Sequence, residues 1–69
     1  MLMFNRVKEY RIEKRLSQKE VADYAEITRQ TLSLIEKFEY NPSLKLCLKI
    51  CYALNQTLDD VFWIEKGEI

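Results

Sequence analysis

The apolar residues of this chain recur at intervals of three and four positions, the spacing that places them on one face of an α-helix. In the first half of the sequence this spacing predicts three short helices. We expect the first over about residues 5–15, with Asn5 as its cap, the second over 18–25, and the third over 29–37, capped by Thr28. The second has the clearest start signal, a serine followed three residues later by a glutamate, which is a capping box.

The second half of the chain begins with a break at Asn41-Pro42-Ser43, because proline disfavours helix in the residue before it. A fourth helix over about 44–54, capped by Ser43, is apolar on nearly every side and is therefore expected to be the central, most buried helix. A short fifth helix follows Thr57 and carries Leu58, Val61 and Phe62. Five helices in so short a chain predict an all-α bundle with short connections.

The second and third helices are joined by only residues 26–28, a link that fits a helix-turn-helix over residues 18–37. This motif needs a small residue where its helices cross and an apolar residue in its turn, and Ala22 and Ile27 meet these needs. The third helix also has an outward face of side chains suited to hydrogen bonding: Arg29, Gln30, Thr31 and Ser33.

Composition narrows the function classes. A chain of 69 residues forms one domain, and its 11 basic and 11 acidic residues give a net charge of zero. Since the chain has no histidine and no glycine-rich phosphate loop, we expect no enzyme activity, no metal site and no cofactor. Cys47 and Cys51 are expected as small buried thiols in a reducing compartment, although a redox role stays open.

No apolar run approaches the roughly 18 residues of a membrane span. The apolar start, residues 1–4, lacks a cleavage site of small residues, so we expect a cytoplasmic protein without a signal peptide. A core this small leaves little space for a small-molecule pocket.

The stretch from Gln18 to Glu36 resembles the Cro/repressor-type helix-turn-helix family, also called the XRE family. Further segments match the spacing of that family: Arg11, Leu16-Ser17-Gln18, Tyr40-Asn41-Pro42-Ser43-Leu44 and Leu58-Asp59-Asp60-Val61-Phe62. The chain departs from the family at Arg15 and Glu26, where glycine is frequent. It is most similar to short bacterial regulators made of a DNA-binding domain plus a dimer contact, such as the repressor of a cytolysin operon.

This resemblance implies double-stranded DNA as a partner and places Arg29 and Gln30 at the leading base contacts. Arginine pairs with guanine and glutamine with adenine in the major groove. Thr31 and Ser33 are expected next. Leu34 has two interpretations, contact with a thymine methyl group or packing on a neighbouring helix.

Phosphate contacts are expected around the motif. Gln18 matches the family's backbone-anchoring glutamine. The other candidates were placed together near the opposite end of the motif: Thr28, Lys37, Tyr40, Asn41 and Ser43. For Lys37 and Tyr40 the alternative is a solvated surface residue. Arg11 and Glu36 are implied to form a structural salt bridge between the first and third helices.

A homodimer is expected, because one helix in one groove gives a small interface. We expect the dimer contact within residues 58–69 together with 1–4, carried by Val61, Trp63 and Ile64. The termini are also candidates for pairing as short β-strands. The alternative is that these residues cap the core of their own chain, which is favoured for Phe62.

Zero net charge is unusual for a DNA-binding protein. The distribution is uneven, however, since residues 1–37 hold eight basic and six acidic groups, an excess that lies toward the motif. The whole chain, residues 1–69, is thus interpreted as a single helix-turn-helix domain that regulates transcription, as a repressor on a palindromic operator. The alternative is an antitoxin-like protein-interaction module whose DNA binding serves autoregulation.

Overall fold

A computed structural model describes residues 3–64, and helices make up most of that part of the chain. The elements in order are β1 (Phe4–Asn5), α1 (Val7–Glu13), α2 (Gln18–Ala25), α3 (Arg29–Glu36), α4 (Leu44–Leu54), α5 (Leu58–Val61) and β2 (Phe62–Trp63). Over the described residues, the expected five-helix fold is therefore confirmed, together with the short pairing of the terminal segments.

The two strands form an antiparallel ribbon that brings the ends of the described chain together. Phe4 lies opposite Trp63, and Asn5 lies opposite Phe62. Phe62 was expected in the fifth helix, but its φ of −123° and ψ of 138° are extended, so α5 is a single turn that ends at Val61. Phe62 is nevertheless buried, as the alternative for that residue had it.

Helices α2 and α4 begin and end where the sequence places them. The capping box of α2 is present: the Glu20 amide donates to the Ser17 hydroxyl at 3.0 Å, and the Ser17 amide donates to Glu20 Oε1 at 2.9 Å. The first helix is shorter than predicted, Val7–Glu13, because Asn5 belongs to β1. The third ends at Glu36, one residue before the predicted end.

The four longer helices all end with a residue in the left-handed region, and none of these residues is glycine. They are Arg15, Glu26, Phe38 and Asn55, with φ of 58°, 62°, 64° and 55°. In each case the next amide donates back to a carbonyl five residues earlier, which is the Schellman arrangement. At Arg15 and Glu26, where glycine is frequent in the family, the left-handed turn is thus formed without the residue that favours it.

The hydrophobic core lies between α2 and α4, and the neighbouring helices and strands complete it. Helix α4 buries one side, with Cys47, Ile50, Cys51 and Leu54. Its other side is open, since Leu44 is 65% and Leu48 is 38% exposed. The prediction that α4 is the central helix is confirmed, because α1, α2 and α5 all pack on it, although they leave its opposite side uncovered.

Candidate nucleic-acid interface

The turn between α2 and α3 sets the angle of the motif. Glu26 takes the left-handed conformation, and its amide donates to the Asp23 carbonyl while the Ile27 amide donates to the Ala22 carbonyl. Ile27 packs half-buried against the core, and Ala22 is almost completely buried. The small side chain lets the two helices approach closely, as a helix-turn-helix requires.

The first turn of α3 is capped by Thr28, whose Oγ1 accepts a hydrogen bond from the Thr31 amide at 3.0 Å. The same hydroxyl donates to Thr31 Oγ1 at 2.9 Å. Arg29 and Gln30 follow the cap, and both are exposed. Within residues 3–64, neither side chain has a hydrogen bond or an ion pair. Their donors and acceptors are consequently free for an external partner.

Further along α3, the inward positions Leu32 and Ile35 are completely buried and fix the orientation of the helix. Thr31 and Ser33 are half-buried beside them. Leu34 keeps 41% of its surface exposed, so packing inside the chain leaves it accessible to a partner. The predicted base-contact residues therefore lie along one helix, with the longest polar side chains at its start.

The end of α3 is held by a buried carboxylate. Glu36 accepts from Arg11 Nε at 2.8 Å and from Gln18 Nε2 at 3.0 Å, and its side chain is only 4% exposed. Arg11 Nη2 also donates to Glu36 Oε1 at 3.4 Å, and Nη1 donates to the Leu16 carbonyl at 3.0 Å. The ion pair that the resemblance implied is present, and its place between α1, α2 and α3 makes it structural.

Gln18 has a role that the sequence did not indicate. It was expected to contact phosphate, yet one hydrogen of its side-chain amide is bound to Glu36. A phosphate contact would use the second amide hydrogen. The bond to Glu36 also holds the start of α2 beside the end of α3.

The remaining phosphate candidates do not lie together, which corrects the expected single cluster. Thr28 precedes α3 and Lys37 follows it, so roughly 13 Å of helix separates them. Ser43 lies instead on the Thr28 side, in a surface groove of about 230 Å³ that the residues of the turn also line. The candidates therefore form two groups, one at each end of α3.

Tyr40 and Asn41 belong to neither group, since they lie in the α3–α4 loop, and both are exposed. The Asn41 Oδ1 atom accepts from the Met3 amide at 3.0 Å, so this side chain already links the loop to the N-terminal segment. Tyr40 is 46% exposed and Lys37 is exposed, positions that suit a contact with DNA and a solvated surface equally.

Lys45 is a candidate that the sequence analysis missed. It is exposed in the first turn of α4 and lines the same groove as Ser43 and the turn residues. A cation in the first turn of a helix opposes the helix dipole. That unfavourable placement, next to a serine cap, is the signal that could have identified Lys45 as a candidate for a phosphate contact.

Residues 1–2 and 65–69 of the expected dimer contact lie outside the described part of the chain, and the described part of that contact is only partly accessible. Val61 has no exposed surface, because it packs inside its own chain, so it cannot touch a second chain and that prediction is wrong. Trp63 is 37% exposed and Ile64 is half-buried. They belong to an apolar groove of about 210 Å³ formed by the ribbon, α4 and α5, hereafter the terminal groove: Met3, Leu44, Cys47, Leu58, Phe62, Trp63 and Ile64.

The two cysteines are buried free thiols, as expected. Burial raises the pKa of Cys47 to about 11 and also raises the pKa of Cys51. Both sulfurs lie near backbone carbonyls, Cys47 near Pro42 and Cys51 near Thr57. At neutral pH both are protonated, which makes them poor nucleophiles.

Comparison with known proteins agrees with this geometry. A family model described as helix-turn-helix matches residues 7–61. The uncharacterized HTH-type transcriptional regulator YgzD of Bacillus subtilis is 47% identical over 64 residues, which cover 93% of this chain and 97% of that protein. A second such regulator, MJ0272 of Methanocaldococcus jannaschii, is 39% identical over 66 residues, 96% of this chain and 100% of that protein.

Among solved structures, the restriction-modification controller protein C.AhdI of Aeromonas hydrophila is similar in fold. Its TM-score is 0.76 at 31% identity, with 80% of this chain and 83% of that chain covered. The chain belongs to the XRE-type helix-turn-helix family of transcriptional regulators. The finer likeness to a cytolysin-operon repressor stays a prediction. In the part of the chain that the structure describes, no helix is long and apolar enough to span a bilayer.

Proposed function

We propose that this protein is a sequence-specific DNA-binding repressor of transcription that binds a palindromic operator as a homodimer. Helix α3 enters the major groove. One observation carries the proposal: Arg29 and Gln30 project from the first turn of α3, exposed and without partners among the described residues. A surface guanidinium and amide that the fold does not use are suited to read base edges.

The positions of these side chains agree with major-groove reading. The N-terminal residues of a recognition helix contact base edges, while its buried face rests on the rest of the motif. Arg29 supplies the two donors that guanine O6 and N7 accept, and Gln30 supplies the donor and acceptor that match adenine. Ser33 and Leu34 follow one turn later and read the adjacent positions.

The phosphate contacts flank the recognition helix on both sides. Ser43 and Lys45 at the start of α4 join Thr28 on one side, and Gln18 and Lys37 hold the other. Phosphate contacts set the register of a protein on DNA, and base contacts then specify the sequence. Two groups around a short helix support a fixed orientation in the groove despite a net charge of zero.

The terminal groove supports the homodimer. Leu44 is 65% exposed, and with Trp63 and Ile64 it forms an apolar surface beside the β1–β2 ribbon. Such a surface on a small protein marks an interaction site. Two copies related by a two-fold axis place their recognition helices about 34 Å apart, which matches one turn of DNA.

Repression is favoured because a small dimer over a promoter blocks polymerase without further parts. C.AhdI, the structural relative, is a restriction-modification controller protein, which is consistent with a regulatory role for this fold. The relatives come from a bacterium and an archaeon, where DNA lies in the cytoplasm, and we place the protein there.

Selection of bound sequences from a pool of random duplexes tests the proposal. We expect an inverted repeat with half-sites about one helical turn apart. Arg29→Ala and Gln30→Ala should each relax a different base position. If no sequence is enriched even at low salt, where phosphate contacts are strongest, the DNA-reading proposal fails. Co-purification of a partner chain would then favour the antitoxin-like alternative.

The dimer contact needs its own test, with a matched control. Leu44→Gln removes apolar surface from the terminal groove, and Ile12→Gln makes the same change at a residue of α1 that is 57% exposed and outside that groove. Sedimentation at micromolar concentration should show a dimer for the wild type and for Ile12→Gln, and a larger monomer fraction for Leu44→Gln. Equal dimer fractions for the two variants would rule out this groove as the contact.

A further inference from the structure

Asn5 is a buried polar residue whose side chain joins two helices. Its Nδ2 donates to the Ile35 carbonyl at 2.8 Å, and its Oδ1 accepts from the Val7 amide at 3.1 Å. Only 7% of the residue is exposed. The Ile35 carbonyl lies in the last turn of α3 and also accepts from the Phe38 amide at 3.0 Å. The Asn5 amide therefore ties the start of α1 to the end of α3.

Two more contacts from the same N-terminal segment reach the same region. The Phe4 ring meets the Phe38 ring edge to face, with centroids 5.5 Å apart. The Met3 amide donates to Asn41 Oδ1 in the α3–α4 loop. Three consecutive residues, Met3 to Asn5, thus hold the end of α3 and the loop that follows it.

Strand β1 is itself fixed by its partner strand. Phe4 stacks with Trp63 at 6.3 Å between centroids, and the Arg6 guanidinium lies 5.2 Å from the centre of the Trp63 ring. The Arg6 amide also donates to the Val61 carbonyl at 2.9 Å. The ribbon is consequently an anchored element, able to hold a helix end in place.

We propose that the β1–β2 ribbon sets the position of the C-terminal half of the recognition helix, with Asn5 as its positioning residue. This inference rests on the proposed function, since it concerns how α3 reads DNA. Asn5 lies in the interior and touches no base. It acts through the Ile35 carbonyl, which it holds in the geometry that aims Ser33 and Leu34 at the groove.

The two ends of α3 should respond differently when this anchor is lost. The N-terminal end has its own cap, the Thr28 hydroxyl on the Thr31 amide, which is independent of the ribbon. Loss of the Asn5 donor therefore displaces the C-terminal half more than the first turn. The preference at bases read by Ser33 and Leu34 should weaken, while the preference at bases read by Arg29 and Gln30 is retained.

Asn5→Asp is the variant that separates the two bonds of this side chain. A carboxylate keeps the acceptor for the Val7 amide and offers no N–H to the Ile35 carbonyl. Phe4→Leu, a second variant, weakens the link to Phe38 and keeps Asn5, in case Asn5→Asp fails to fold. Ile50→Val, in the buried side of α4, is a control that lowers stability and leaves every residue of the ribbon unchanged.

The experiment is duplex selection and affinity measurement on folded full-length chains, with amide NMR spectra of each. Arg29→Ala, Gln30→Ala and Ser33→Ala first assign the base positions. We expect Asn5→Asp or Phe4→Leu to bind the wild-type site about 10-fold more weakly, the cost of about one hydrogen bond. The loss of preference should fall on the Ser33 and Leu34 positions, with amide shifts concentrated in residues 35–41.

The outcomes distinguish this inference from the function on which it rests. A wild type that selects no duplex overturns the proposed function and, with it, this inference. A wild type that selects a site, with folded ribbon variants whose base preferences match Ile50→Val, overturns the positioning role alone. An even loss over all base positions contradicts it as well, because that pattern reports a general loss of stability.

Discussion

At the N-terminal end of α3, Arg29 and Gln30 are exposed and have no partner among the described residues. At its C-terminal end, by contrast, the Glu36 carboxylate is buried and accepts hydrogen bonds from Arg11 and Gln18. The Ile35 carbonyl beside it is held by Asn5. One helix thus combines an end left free for a partner with an end fixed by the fold. A rigid support lowers the entropic cost of ordering side chains on binding, so we expect the fixed C-terminal end to strengthen binding by the free N-terminal end.

The comparison predicts that changing a side chain bonded within the fold affects stability, whereas changing an exposed side chain without a partner affects binding. Four variants separate these effects, in order of decreasing expected size.

Arg11→Met should have the largest effect, a loss of about 3 kcal/mol in the free energy of unfolding, because it leaves the buried Glu36 carboxylate without its cation. Denaturant unfolding measures this loss. Lys19→Met is the matched control, since it breaks an ion pair with Asp23 that is 75% and 64% exposed. The double variant Arg11→Met/Glu36→Leu should recover part of the stability. A loss for Lys19→Met as large as that for Arg11→Met would contradict the role of burial.

Arg29→Ala should weaken binding to the selected duplex by about 5- to 150-fold, or about 1–3 kcal/mol, and leave unfolding nearly unchanged. The guanidinium has no partner in the fold, so its removal takes away only the contact with DNA. Titration of duplex by fluorescence anisotropy measures the change, beside thermal unfolding of the same sample. A stability loss without a binding loss would place Arg29 in the fold instead of the interface.

Thr28→Ala should lower stability by about 1 kcal/mol, because the Thr31 amide loses its cap. The control is Thr57→Ala at the start of α5, where the threonine makes no side-chain bond to a backbone amide and its hydroxyl donates to Asp60 instead. Thermal unfolding should therefore show a smaller effect for Thr57→Ala. Equal losses would mean that the capping bond is not the source of the cost.

Glu26→Gly should have the smallest effect and the opposite sign, a gain of up to about 1 kcal/mol, because glycine adopts the left-handed conformation without strain. Glu26 Oε1 also forms an ion pair with Lys49 Nζ at 3.2 Å. Glu26→Gln is therefore the control that removes this ion pair and keeps the strained backbone. A lower melting temperature for Glu26→Gly than for Glu26→Gln would show that the turn does not strain this residue.

Much of the fold could be predicted because its signals are local. The capping box at Ser17 and the caps at Thr28 and Ser43 are formed as the sequence indicates. The left-handed turn at Glu26 falls where the family frequently has glycine, so the resemblance indicated this position and the residue type did not. Phe38, an aromatic residue in the same conformation, gave no such signal.

The candidate site was predicted less completely. The face of α3 could be read from its periodicity, and Arg29 and Gln30 are exposed as that periodicity requires. The grouping of the phosphate candidates could not be predicted from the sequence, because it depends on where α4 packs against the turn. Val61 was assigned to the dimer contact but packs inside its own chain. The residue type alone does not reveal whether an apolar side chain covers its own core or faces a partner.

The sequence by itself determined the helices, their caps and the polar face of α3, since each depends on residues within a few positions of one another. Only the tertiary structure decided that Asn5 holds the end of α3, that Gln18 binds Glu36, and that Val61 lies inside. These contacts join residues far apart in the chain. Their geometry follows from the packing of all the helices together, which no local pattern contains.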